Sequence, residues 1–407
     1  MDKRSYFRQS ITASNPQAVR AQNRRAVLDL IEHKGPIPRV ALAGALGLSQ
    51  PTVSEVVAEL VKAGLVVEAG FGDSTGGRRP VMLRFNDRAG YIVAVNLGGT
   101  KSQLATFTLR GEQIDCINTP LPKAHTAEEA VSIIAEDIEA LTSCGNVPKE
   151  QLSAVGIAVP GVVDPETGEV TFAPAIGLKH AALGSLLQSK LGLPVVVDND
   201  VNAAALAELE FGEGRQFRSF VLIWIGTGVG AGIVIDGKLH RGYGNFAGEI
   251  GYFIVDSALE ESRLAAGFGP LEDRVALSNV IERMAQQDAA FLRPSDLHYQ
   301  AAFEEILRQS DQGKEPAYTI IGDLVDSLSK TLVNIMLVVA PDVIFLGGAI
   351  GNSANLLIPR LEHRMKILSP IIPQLHITNL AENAGLIGAA ALASRHAHKL
   401  LLDGIDA

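Results

Sequence analysis

Four polar residues and one valine, Asp198-Asn199-Asp200-Val201-Asn202, follow the short apolar stretch Val195–Val197. Polar side chains at the carboxyl end of a buried strand face the crevice where α/β folds hold small ligands. Asn199 and Asp200 are therefore candidates for a ligand site. Asp200 has a structural alternative as a helix N-cap, but the polar motif around it favours the ligand role. Two glycine loops offer a second chemistry. Gly98-Gly99-Thr100 lies between apolar strands, and Gly226-Thr227-Gly228 opens a glycine-rich hairpin turn. Bare backbone can approach a ligand closely there, and its N–H groups can hold an anion. Near the N-terminus Gln50, Pro51, Thr52 and Ser54 lead an amphipathic segment, and Arg78 and Arg79 end a glycine-rich one. Amides and hydroxyls pair with base edges, and guanidinium groups suit phosphates and a narrow minor groove. Arg39 joins these as a DNA-contact candidate.

The elements around these residues follow from periodicity. Val19, Val27, Leu28 and Ile31 share one face of a helix beginning near Gln17, which Gly35 and Pro36 end. A short helix runs from Val40 to Leu46, Gly47 turns the chain, and Ser49 caps the next helix. Pro51 falls in the first turn of that helix, where a missing N–H costs little. Val53, Val56, Val57, Leu60 and Val61 make its apolar stripe. Two short helices around a glycine turn, with polar residues leading the second, are a helix-turn-helix. Strands Leu65–Glu68 and Val81–Phe85 then flank the segment ending in Arg78-Arg79, which reads as a wing. A protein-interaction module with an exposed basic loop is the alternative, and charge argues against it.

Charge divides the chain. The total is −10, yet residues 1–90 hold 13 basic and 8 acidic residues, against 22 and 37 in the remainder. Only the basic head suits a phosphate backbone. At 407 residues the chain calls for two or three compact units, and 47% hydrophobic content gives each a core. Two cysteines, Cys116 and Cys144, give neither a disulfide framework nor a cysteine-rich zinc site. Arg and Gln near the N-terminus stand where a secretory leader would be apolar, so none is expected. The apolar run Ile335–Ala340 is far below the roughly 20 residues of a membrane span. A cytoplasmic protein with no membrane partner is expected.

The body repeats one pattern. Strands Tyr91–Val95, Gln103–Leu109 and Gln113–Asn118 surround the first glycine loop. Thr126 opens a long helix as part of a capping box, and strand Ala154–Val159 runs into Pro160-Gly161. Phe220–Gly237 is a hairpin with an Asp-Gly turn at its far end, and Gly347-Gly348 follows strand Val343–Leu346. Glycine loops recurring within strands imply two duplicated lobes around a cleft.

Val-Asn-Leu-Gly-Gly-Thr, Val-Pro-Gly-Val-Val-Asp, Asp-Asn-Asp-Val-Asn, Gly-Thr-Gly-Val-Gly-Ala-Gly, Ala-Gly-Glu-Ile-Gly and Phe-Leu-Gly-Gly-Ala stand in this order. In that order they resemble the ROK family of repressors, open reading frames and sugar kinases, over roughly residues 91–395. Ser-Thr-Gly-Gly-Arg-Arg-Pro is similar to the wing of its repressors. The resemblance implies an α/β protein with an N-terminal winged helix-turn-helix, residues 1–84, and a linker, 85–90. A two-lobed actin/hexokinase-like domain would follow over 91–407, its cleft near residues 199–272. By resemblance Asp200 matches the kinase catalytic base. Asn199, Glu249 and Glu272 match sugar-hydroxyl contacts, and Gly98, Gly99, Thr100, Gly226, Thr227 and Gly228 match the nucleotide loops. Glu249 could instead be a solvated loop carboxylate, and Glu272 one that complements a helix dipole.

The departures carry as much information. Kinase members have aspartate where Asn96 stands, and an amide cannot supply that charge to magnesium. Tyr252 replaces a histidine that contacts sugar and ligates zinc; packing is its simpler role, with sugar contact as the alternative. Residues 253–271 hold no cysteine, so no zinc is expected. Ala175 replaces the usual sugar-contacting asparagine. Neither metal nor ATP with magnesium is expected as a cofactor. The leading expectation is a regulator of carbohydrate metabolism, a repressor rather than an enzyme. It would bind palindromic double-stranded operator DNA as a homodimer or homotetramer, under a sugar or sugar-derivative effector. A bifunctional sugar kinase, and a regulator using a degenerate kinase fold as scaffold, are the alternatives.

Overall fold

The computed structural model describes residues 16–72, 79–99, 101–121, 126–255, 269–288, 291, 299–380 and 383–405. The chain divides into two compact units. The first comprises residues 1–91, 108–112 and 394–407, and the second residues 92–107 and 113–393.

In the first unit, α1 (Pro16–Lys34), α2 (Arg39–Leu46) and α3 (Gln50–Lys62) precede a hairpin of β2 (Val66–Phe71) and β3 (Val81–Phe85). A two-residue strand, β1 (Ile37–Pro38), adds to the far side of β3. Gly47 ends α2 with φ 64°, the left-handed conformation that glycine adopts without strain. Ser49 then caps α3, its Oγ accepting the Thr52 N–H at 3.2 Å. The chain bends by 118° between the two helices, which is helix-turn-helix geometry. Val53, Val56, Val57 and Leu60 are buried beneath α3, each contributing about 1.5–3 kcal/mol of apolar burial. This pattern leaves the opposite face of α3 no role in the core.

The first unit is not continuous in sequence. Arg24 is 2% exposed. It donates to Glu59 of α3 at 3.0 Å and to the Leu402 carbonyl at 3.2 Å. His398 stands edge-on to Phe85, ring centres 5.2 Å apart. Burial first, and the Arg25 charge second, push His398 down to about 4, so its imidazole is neutral at physiological pH. The Ser394 hydroxyl donates to the Leu109 carbonyl at 2.6 Å. The last turns of the final helix therefore count with the head, whereas the sequence reading ends the head at residue 84. Residues 85–90, read as a linker, include the end of β3 and Asn86, whose amide donates to the Gly64 carbonyl at 2.8 Å. Contacts that close over some 300 residues leave no local signal.

The second unit holds two five-stranded sheets of the same plan. In one, β4 (Tyr91–Leu97), β5 (Lys101–Thr108) and β6 (Gln113–Pro120) lie side by side. β7 (Leu152–Val159) and β11 (Val195–Asn199) extend the β4 edge as a parallel pair. In the other, β12 (Phe220–Ile225), β13 (Val229–Ile235) and β14 (Lys238–His240) form an antiparallel meander. β15 (Val343–Gly347) and β16 (Leu375–Ile377) extend it from β12, both parallel. A small antiparallel sheet, β8 (Val162–Asp164), β9 (Glu169–Ala173) and β10 (Leu178–Ala181), adjoins the first. Thr126 caps α4 (Ala127–Cys144), accepting the Glu129 N–H at 3.1 Å. After α5 (Leu183–Leu191) comes α6 (Asp200–Glu210), and helices α7 (Pro270–Val275) to α11 cover the second sheet. These are α8 (Leu277–Gln287), α9 (Tyr299–Asp311), α10 (Ala317–Val339) and α11 (Ala354–Leu368). Leu324, Leu328 and Leu332 of α10 and Leu361 of α11 pack with Val221, Ile223 and Ile344 of the sheet in one core. Among the described residues no single helix is long and apolar enough to cross a membrane.

Helix α6 is the element both sheets share. A Cβ on Gly232 of β13 would stand 2.3 Å from the Ala205 side chain, and one on Gly388 of α12 (Ala384–Asp403) 1.9 Å from the Ala203 carbonyl. Ala203, Ala204, Ala205 and Ala207 are buried. Small side chains on both partners bring the backbones together, and no neighbour there is flexible enough to yield. Replacing Gly388 by alanine should cost about 1–3 kcal/mol or more through overpacking, read as a lowered unfolding midpoint of the second unit. Gly99, where a Cβ meets nothing within 4 Å, should tolerate the same change.

Candidate functional site

Parallel pairing of β11 with β7 ends at Asn199 opposite Val159, and the chain turns there directly into α6. Asn199 is the N-cap: its Oδ1 accepts the Asn202 N–H at 2.9 Å and its Nδ2 donates to the Gly161 carbonyl at 2.8 Å. The capping that sequence offered as an alternative for Asp200 falls one residue earlier. Asp200 is the first residue of the helix and accepts the Val201 N–H at 2.9 Å. Burial pushes its carboxyl up to about 6, against the relief of backbone N–H groups, and the charge of Asp198 adds to the rise.

Two more carboxylates share this environment. Glu249 lies in the turn after β14. Burial, then the charges of Asp200 and Glu272, push it up to about 7. Glu272, in the first turn of α7, accepts the Val229 N–H at 3.0 Å and the Gly269 N–H at 3.5 Å. Burial raises it too, less so because those N–H groups favour the charge. Tyr252 is 43% exposed, and its hydroxyl is raised by burial and then by Glu272 and Glu249. The structure thus brings Asp200, Glu249, Glu272 and Tyr252 into one electrostatic neighbourhood, drawn from both halves of the second unit. Such a cluster, partly desolvated and with the carboxyls of Asp200 and Glu249 raised toward neutrality, is what a ligand-binding crevice produces. Its carboxyl oxygens suit hydroxyl donors.

The glycine loops are more committed. The Gly226 carbonyl accepts from the Leu277 N–H at 2.9 Å, and the Thr227 carbonyl from the Ser278 hydroxyl at 2.9 Å. Both hold the start of α8. Glu272 Oε1 lies 2.6 Å from where a Gly228 Cβ would be, so Gly228 makes room for a site carboxylate. The Gly98 N–H closes a turn on the Lys101 carbonyl at 2.8 Å, Gly99 is open, and Thr100 lies outside the described residues. Asn96 donates to Gln103 at 3.3 Å. Ala175 is exposed in a short 3-10 turn. Among the described residues no group of three His, Cys, Asp or Glu side chains could hold a metal ion.

In the first unit Gln50, Pro51 and Ser54 are exposed at the start of α3. Thr52 is partly turned inward, its hydroxyl 2.8 Å from that of Ser49. Arg79 is exposed two residues before β3, in the connection between the hairpin strands, and Arg78 lies outside the described residues. Arg39 faces Glu68 at 3.6 Å, a surface ion pair that DNA phosphate could displace.

Sequence reasoning passed over two residues of the cleft. Asp198 is 1% exposed and takes both terminal nitrogens of Arg241, at 2.6 and 2.5 Å. Asp198 stood in view inside the Asp-Asn-Asp motif. Arg241, four residues past the Asp236-Gly237 turn, carried no signal without its partner.

The fold and cleft define a two-lobed sugar-kinase-like domain carrying a winged helix. The profile of the ROK family matches residues 92–396, and that of the winged helix-turn-helix DNA-binding group matches residues 20–67. The chain belongs to the ROK family. It is 28% identical to the xylose repressor of Caldicellulosiruptor bescii over 380 residues, 91% of this chain and 94% of that one. It is 27% identical to the Escherichia coli DNA-binding transcriptional dual regulator NagC over 402 residues, 96% of each. Among solved structures, a ROK family transcriptional regulator, a homologue of the E. coli MLC protein, superposes with TM-score 0.77 at 27% identity, covering 95% of this chain and 98% of that one. A ROK family glucokinase from Streptomyces griseus in complex with glucose and AMPPNP superposes with TM-score 0.61 at 28% identity, covering 75% of this chain and 100% of that one.

The raised carboxyls set a pH dependence. Unfolded Asp and Glu release their protons near pH ~4, whereas Asp200 and Glu249 hold theirs to about 6 and about 7. Over that interval the folded chain binds more protons than the unfolded one, so these groups lower stability progressively as pH rises through it. Glu249→Gln should therefore raise the melting temperature at about pH 8 and leave it nearly unchanged at about pH 4, flattening the profile. An unchanged slope would remove Glu249 from the cluster.

Proposed function

We propose that this protein is a DNA-binding transcriptional repressor of carbohydrate metabolism whose operator affinity is set by a sugar held between the two lobes. The observation that carries this reading is the pairing, in one chain, of an unobstructed α3 N-terminus with a desolvated carboxylate cluster. Gln50 and Ser54 reach base edges in the major groove, Arg79 holds phosphate, and Arg39 exchanges Glu68 for phosphate. One such helix contacts too few base pairs for tight specific binding, so the protein binds a palindromic site as a dimer. The relatives named as repressors support both halves.

The effector is an unphosphorylated sugar. Asp200, Glu249 and Glu272 accept hydroxyl protons and repel an added phosphate, while Tyr252, in place of histidine, offers a hydroxyl and a ring face. The protein works without catalysis, because Asn96 supplies no charge for a metal and its amide is engaged by Gln103. Response to the sugar requires that one arrangement of the lobes bind it better than the other. Helix α12 contributes Gly388 to the second unit and Leu402 to the first, and it is the continuous element through which that preference acts.

A kinase reading has one observation in its favour: a carboxyl held at about 6 is suited to accept a proton from a sugar hydroxyl. ATP-dependent turnover on a sugar panel, lost in Asp200→Asn, would establish it and displace the non-catalytic reading.

Fluorescence anisotropy with DNA flanking the protein's own gene is the direct test. Gln50→Ala combined with Arg79→Glu should weaken binding by roughly 1–3 kcal/mol for each contact and leave the sugar-induced thermal shift intact. Asp200→Asn should do the reverse, retaining DNA binding and losing the shift. For the unaltered protein that shift corresponds to ~2.7 kcal/mol of stabilisation at a hundredfold excess over Kd. Operator affinity indifferent to the double substitution would overturn the DNA assignment. Absence of a shift with D-glucose, D-xylose and N-acetylglucosamine would overturn the sugar assignment.

A further inference from the structure

Residues 241–252 leave β14 of the second sheet and return to it. The Ala247 N–H donates to the Arg241 carbonyl at 3.0 Å, closing the loop on itself, and the Ala231 N–H of β13 donates to the Gly248 carbonyl at 2.8 Å. Gly248, at φ 98°, lies so close to β13 that a Cβ would stand 1.9 Å from the Ala231 carbonyl. The loop is therefore fixed to the second lobe. It carries Arg241 at one end and Glu249 immediately after Gly248.

The side chain of Arg241 reaches the other lobe. Both its terminal nitrogens meet Asp198 at the end of β11, one residue from the Asn199 cap and two from Asp200. Asp198 also accepts the Asn199 N–H at 2.8 Å. A charge this buried is sustained only by a partner of good geometry, and the planar fork of arginine supplies two parallel bonds where lysine would supply one. Asp198 and Asp200 share one strand-to-helix junction; Arg241 and Glu249 share one pinned loop.

We propose that Arg241 and Asp198 form a cross-lobe latch that sets the separation of Asp200 from Glu249, making Arg241 a positioning residue for the effector site. The pair touches no ligand. It fixes the gap into which the ligand must fit, and closure or opening of the lobes must stretch or break it. What fills the gap rests on the sugar reading above; the coupling of the two segments does not.

Hydrogen exchange on the full chain without ligand tests the coupling. Arg241→Met should raise exchange by about tenfold or more in two separate segments, residues 198–203 and 245–252, because each loses its tether. Arg241→Lys should give a smaller rise in both. If only 198–203 loosens, or neither does, the pair is a local neutraliser of Asp198 and the latch is wrong. Arg241→Met combined with Asp198→Leu guards against simple unfolding. It removes the buried charge as well as its partner, so the melting temperature should recover while exchange at 245–252 stays fast; recovery of both would overturn the proposal. For whichever of D-glucose, D-xylose and N-acetylglucosamine binds the unaltered protein, Kd should rise about tenfold or more in Arg241→Lys. An unchanged Kd would overturn the positioning role. If none of the three binds the unaltered protein, the sugar reading falls while the exchange result still decides the latch.

Discussion

Helix α6 is the constraint on which the rest depends. Its alanine face lets β13 approach from one side, at Gly232, and α12 from another, at Gly388. A single larger side chain at either contact would push α6 away from β13 or from α12, since backbone atoms cannot yield as a flexible side chain can. The same packing determines where the N-terminus of α6 opens. Asp200 stands there because Asn199 caps the helix and β11 delivers the chain, so the geometry of the site is a consequence of the close packing behind it. The alternating demands are visible in one stretch: capping and polar residues at the start of α6, alanines through its body.

The electrostatics of the cleft follow from that geometry. Asp198, Asp200, Glu249 and Glu272 are four acids in a confined space, and the structure treats them differently. Asp198 is neutralised by a bidentate guanidinium and Glu272 is partly relieved by two backbone N–H groups. Asp200 and Glu249 are left near neutrality in their titration, raised chiefly by burial. Carboxyls in that condition are costly for the fold and useful for a ligand: a sugar hydroxyl that donates to them restores the hydrogen bonding that water supplied. The penalty is thus stored where binding can relieve it. A metal or a fixed cation beside them would remove the penalty permanently and leave less for a bound ligand to relieve.

Much of this was legible in the sequence, and for physical reasons. Short-range signals are strong: the Ser49 cap, the Gly47 turn, the apolar stripe of α3 and the Asp236-Gly237 hairpin each depend on residues within one or two turns of one another. The duplicated lobes were legible because glycine loops recur at matching places in both sheets. Three features were not. The cap at Asn199 rather than Asp200 depends on a backbone turn of a single residue. The head's use of residues 394–407 depends on Arg24 meeting Leu402 and Phe85 meeting His398, pairs with no common periodicity. Arg241 is an ordinary loop arginine until the fold brings Asp198 beneath it. The candidate residues of the cleft were named by type and order, but which of them lie together, and which are spent on backbone, required the fold.

A regulator and a kinase built on this plan differ in what lobe movement must accomplish. A kinase needs closure to align a nucleophile with a phosphoryl group to within a fraction of an ångström, and every element of the cleft serves that geometry. A regulator needs only that two arrangements differ in affinity for the effector, by an amount comparable to the operator free energy it must change. The second requirement is looser in geometry and stricter in balance: neither arrangement can be favoured by more than the ligand can overcome. Asn96 engaged by Gln103, and two carboxyls raised chiefly by burial, are compatible with that looser requirement.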